Sequence, residues 1–152
     1  MSKPRGGPPD LPPQPEGKPP ARPVPQPWPG EERLRRLAAW AAQALGGRLR
    51  QITPPGATPN FWTCQLDLPA GRVLLLVTEE GAWALAGSAA PGALEFTWHE
   101  GLATFLAAQG VNLLTPAQLA GPVDPGWPGC AAADLHYWRP TQLGQALFHW
   151  WD

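Results

Sequence analysis

Lysine occurs at only two positions, Lys3 and Lys18, and cysteine at only two, Cys64 and Cys130. Two cysteines are too few for a disulfide scaffold, and they are spaced neither as a zinc knuckle nor as a CxxC redox pair, a usage that fits a reducing cytoplasm. Long apolar runs are also missing. The longest strictly apolar stretch, Val73 to Val77, is far short of the ~20 residues that span a bilayer. No basic region followed by an apolar core opens the chain, so the expectation is a soluble, cytoplasmic protein with no membrane partner. Phosphate-binding glycine loops of the GxGxxG or Walker type are absent, and so are internal repeats.

Positive charge is scarce as well. The first thirty residues carry four Lys and Arg against two Asp and Glu, an excess of +2. With the whole chain at -1, this leaves -3 for residues 31–152. A nucleic-acid-binding fold normally shows a basic excess on one face, so nucleic acid is disfavoured as the partner.

What the chain does have is proline, glycine and tryptophan: 22, 17 and nine residues among 152. Twelve of the prolines fall in residues 1–30, which hold almost no aliphatic side chains. Such a segment buries too little surface to offset its ordering entropy and reads as a disordered, proline-rich arm. Trp28 interrupts it, as an anchor for a partner's groove or as a side chain that tucks against its own domain. Residues 31–152 read as a single domain.

The expected architecture is α+β: a small, mostly antiparallel sheet of four or five strands packed against an N-terminal helix, a central capped helix and a C-terminal helix. Glu31 and Glu32 open the first helix, whose stripe is Leu34, Leu37, Ala38, Ala41 and Leu45, and Gly46-Gly47 stops it. Strands follow near 48–52, 60–68, 72–78, 82–87 and 93–96, divided by Pro/Gly turns. In the second of these, Trp62, Cys64, Leu66 and Leu68 face one way and Phe61, Thr63, Gln65 and Asp67 the other. Thr97 and Glu100 have the spacing of a capping box for the central helix, which Gly110 ends, and Thr115-Pro116-Ala117-Gln118 repeats the signal for a single turn. A Gly/Pro-rich loop, 122–133, holds Trp127 and Cys130. Pro140-Thr141 then starts a closing helix that runs to the end with Leu143, Ala146, Leu147 and Trp150 on one face. All three main helices are expected on one face of the sheet.

Candidate chemistry is thin. Asp134 and His136, two apart in an extended piece, project to the same side and with Cys130 suggest a small metal-dependent or cysteine hydrolase. His99, Glu100, His149 and Asp152 add carboxylates and imidazoles without ligand spacing, so neither a metal site nor a cofactor is expected. Arg33, Arg35 and Arg36 on the first helix suggest single-stranded nucleic-acid binding only if exposed aromatics flank them. The favoured reading is a non-enzymatic protein-interaction or adaptor module. Another protein would be its partner, met through Trp28, Trp127, Trp138 and Trp151.

Overall fold

The computed structural model describes residues 24–56, 60–90, 93–124, 127 and 140–148. They form a five-stranded antiparallel sheet with strand order β1-β2-β3-β4-β5 and four helices, a small α+β fold. In chain order the elements are α1 (Glu31–Ala44), β1 (Arg48–Thr53), β2 (Phe61–Leu68), β3 (Gly71–Thr78), β4 (Trp83–Ala90), β5 (Ala93–Thr97), α2 (Glu100–Ala108), α3 (Pro116–Leu119) and α4 (Leu143–Leu147).

The sheet is a meander in which each strand pairs with its neighbour in the chain, and antiparallel neighbours need no crossover. β3 lies at its centre. Its apolar run is buried on both sides, with Leu75 and Val77 in one hydrophobic cluster and Leu74 and Leu76 in the other. Continuous rather than alternating apolar character is what a strand covered on both faces requires. β1 is an edge strand, broken by an irregularity between Leu49 and Gln51. Leu49 and Ile52 turn toward the core, while Arg48, Arg50 and Gln51 remain exposed. A bulge and charged side chains are two ordinary ways of blunting an open edge.

The helices divide between the two faces, contrary to the expectation that one face takes them all. On the first face, Leu34, Leu37, Ala38 and Ala41 of α1 and Leu102 and Leu106 of α2 meet Trp62, Cys64, Leu66, Leu75, Val77, Trp83 and Leu85. On the second, Leu119 of α3 and Leu143, Ala146 and Leu147 of α4 meet Phe61, Leu74, Leu76, Ala84 and Ala86. Fully burying one such leucine is worth ~1.5–3 kcal/mol, so leaving either face of β3 bare would forfeit several such terms. The second layer comes especially close at Gly144, where an added Cβ would sit 2.6 Å from Phe96 Cε2.

Two helix ends differ from their sequence signals. α2 is capped by His99, not Thr97: the imidazole Nδ1 accepts the Leu102 N–H at 3.1 Å. Thr97 is still paired in β5, opposite Leu85, so its backbone is committed to the sheet and cannot serve as the cap. Glu100 instead accepts the Trp98 indole N–H at 2.9 Å. α4 is the second case, shorter than its apolar periodicity implies. Phe148 leaves helical geometry at φ -118°, ψ 93°, and its ring packs near Phe61 and Phe96, each with centroids 5.7 Å away. Burying that ring competes successfully with one more helical turn. By contrast, α3 carries the full capping box: Thr115 Oγ1 accepts the Gln118 N–H at 3.1 Å and Gln118 Oε1 accepts the Thr115 N–H at 2.9 Å.

Candidate functional site

Two features of the described surface combine exposed or segment-binding aromatics with defined geometry. The first is on the outer side of α1 and α2. Trp40 lies outside the apolar stripe of α1 and is 54% exposed, and its ring meets Phe105 of α2 edge-on, with centroids 5.2 Å apart and planes at 83°. Toward the C-terminal ends of the two helices the exposed positions are uncharged: Gln43, Ala44, Thr104, Ala107 and Ala108. Trp98, 39% exposed, precedes α2. Two of the three arginines of α1 are paired within the helix. Arg35 pairs with Glu31 at 3.2 Å and Arg36 with Glu32 at 3.6 Å, one helical turn apart and in solvent.

The second feature is at the end of the sheet where β3 turns into β4. Residues 24–30 cross this end before entering α1. The Gln26 backbone N–H donates to the Gly81 carbonyl at 3.0 Å. Its side-chain amide reads one residue twice: Nε2 donates to the Asn112 carbonyl at 2.6 Å and Oε1 accepts the Asn112 N–H at 2.9 Å. Two residues on, Trp28 stacks on Trp62 with centroids 5.3 Å apart and planes inclined by 27°. Trp62 is also held at its edge, its indole N–H donating to Glu79 Oε2 at 3.0 Å. Gly81 has φ +107°, and a Cβ there would lie 2.6 Å from the backbone N and O of Gln26. Only glycine permits both the turn and the close approach.

The residues singled out by the sequence are distributed unevenly. Trp28 is half-buried against Trp62, within its own domain. Trp127 is 4% exposed and belongs to the second core cluster. Trp138, Trp151, Cys130, Asp134, His136, His149 and Asp152 lie outside the described residues. Cys64 is fully buried. Burial pushes its thiol up to about 12, with a smaller opposing effect from Arg35; a thiol in that state is a poor nucleophile. Among the described residues no group of three or more His, Cys, Asp and Glu side chains is placed to hold a metal ion. No described helix is long and apolar enough to cross a membrane. Two buried indole N–H groups, of Trp83 and Trp127, have no acceptor among the described residues.

Trp40 and Asn112 were not singled out by sequence reasoning. A signal for Trp40 exists: an indole on the polar side of an amphipathic helix, four residues after Arg36 and three before Gln43. For Asn112 there is none, because it contributes its backbone.

No family model, characterised protein or solved structure matches the chain.

Proposed function

We propose that the protein is a protein-interaction module and that the outer face of α1 and α2, centred on Trp40 and Phe105, is where it meets its partner. The observation that supports this is the exposure of Trp40. A large indole packed against a second ring, beside helix ends whose exposed residues, Gln43, Ala44, Thr104, Ala107 and Ala108, are uncharged, is an association surface in the making. Aromatic anchors of this kind, flanked by energetically neutral neighbours, carry most of the binding energy in interfaces. The pairing with Phe105 limits the rotamers open to Trp40, which lowers the entropy lost when a partner covers it.

Affinity capture from nuclease-treated host lysate, comparing the full chain with Trp40→Ala, tests this reading. The expected result is a specific protein that is retained by the wild type and lost with the variant, while the melting temperatures of the two agree closely. A partner held equally by both, or captured nucleic acid with no protein, would overturn it.

A further inference from the structure

We infer that the end of the sheet formed by Trp62, Glu79, Gly81 and Asn112 is a peptide-recognition groove. Residues 24–30 of the chain occupy it as a built-in ligand, and a partner's extended, proline-flanked segment with Gln two residues before Trp can replace them. This site is distinct from the Trp40 surface and stands without it.

The groove is organised by bonds that do not involve its occupant. The β3–β4 turn closes on itself: the Thr78 N–H donates to the Ala82 carbonyl at 2.9 Å and the Gly81 N–H to the Thr78 carbonyl at 3.1 Å. The Thr78 hydroxyl, buried, accepts the Ala82 N–H at 2.9 Å. Glu79 fixes the Trp62 indole from within the same region. Asn112 is held from both sides, since the Val111 N–H donates to the Leu106 carbonyl and the Leu114 N–H to the Trp83 carbonyl, each at 2.8 Å. All the receiving groups therefore stay in place when the segment leaves.

The segment itself is attached by few contacts, and they are selective. An extended backbone supplies one N–H to Gly81, a primary amide satisfies both the N–H and the C=O of Asn112, and an indole covers Trp62. This combination of main-chain bonds with alternate side-chain anchors is how extended peptides are read in general. Prolines at 25, 27 and 29 favour an extended backbone before binding and reduce the ordering cost. Between the segment and α1 stands Gly30, with φ +95°, whose carbonyl accepts the Leu34 N–H at 3.0 Å, so the helix start is fixed independently of the residues before it. A tethered segment competes at an effective concentration on the order of mM. Weakening the tethered copy should accordingly unmask the groove to a ligand in trans.

The probe is a fluorescent peptide of the sequence Val24-Pro25-Gln26-Pro27-Trp28-Pro29-Gly30, titrated into the full chain and into the full-chain variant Gln26→Ala/Trp28→Ala. The variant should bind it at least ~10-fold more tightly than the wild type does, and probes with alanine for either the glutamine or the tryptophan should lose that binding. A folded variant that ignores the probe at ~1 mM, or binds all three probes alike, would overturn the inference. If the variant does not fold, a protease site inserted between Gly30 and Glu31 allows the folded wild-type segment to be cut in place. Displacement of the cut segment by excess probe is then expected, and retention of the segment, or its departure without probe binding, counts against the groove. Concentration-dependent dimerisation of the wild type that Trp28→Ala abolishes would assign the site to a second copy and overturn the partner named above.

Discussion

Trp28 lies on Trp62 with their rings 5.3 Å apart and nearly parallel, so the residues just before α1 are part of the packing on the first face of the sheet. A stacked aromatic pair contributes ~0.5–1.5 kcal/mol beyond its area burial. A double-mutant cycle with Trp28→Ala and Trp62→Leu should return a coupling in that range by urea denaturation. A chain beginning at Glu31 should melt several degrees below one beginning at Val24, because it also loses the three hydrogen bonds of Gln26. Equal melting temperatures would show that the segment contributes nothing to the fold.

Gly144 and Gly47 should respond differently from the open glycines. At Gly144 an added Cβ meets the Phe96 ring at 2.6 Å and Leu119 Cβ at 3.3 Å, and overpacking of this kind costs ~1–3 kcal/mol. At Gly47 the obstacle is backbone, the Asp67 carbonyl of β2, which has no rotamer to change. Gly47→Ala is expected to cost more than Gly144→Ala. Gly87→Ala, with nothing within 4 Å and no left-handed φ, should be close to neutral. Denaturation midpoints of the three variants check the order.

Cys64 makes stability depend on pH in the alkaline range. Burial pushes its thiol up to about 12 in the fold, so the unfolded chain gives up this proton first. The stabilisation is fully present below pH ~9 and is lost as pH rises toward ~12, since above the unfolded pKa deprotonation favours the unfolded chain. Cys64→Ala should flatten that part of the stability profile, apart from the cost of the small cavity. At pH 8 the native thiol should resist alkylation that labels it readily in denaturant. Equal labelling rates would mean that the strand is open in solution.

Thr115→Ala removes the hydroxyl that accepts the Gln118 N–H and should cost ~1 kcal/mol, while Thr115→Ser should cost little. Thr78→Val is expected to be worse. It leaves the Ala82 N–H without the Thr78 hydroxyl oxygen at a buried turn, where an orphaned donor costs ~1–3 kcal/mol. Thermal melts of the three variants would check this ranking, and a neutral Thr78→Val would show that water reaches the turn.

The sequence by itself determined whatever depends on near neighbours. The stripe of α1, the alternation of β2, the capping box at Thr115 and the succession of strands divided by Pro/Gly breaks can all be read from it. Each depends on backbone geometry over a few residues, where periodicity and local hydrogen bonding decide the outcome. The apolar run in β3 also announced a central strand. Only the tertiary structure decided which face each helix covers, because apolar periodicity shows that a side is buried without showing against what. The cap of α2 passed to His99 because Thr97 was already paired with Leu85. α4 stopped at Leu147 because Phe148 found room beside Phe61 and Phe96. The place of Gln26 was set by Gly81 and Asn112, residues far along the chain that meet it through backbone groups. Backbone groups are present at every position, so no side-chain pattern marks the ones that a distant segment will use.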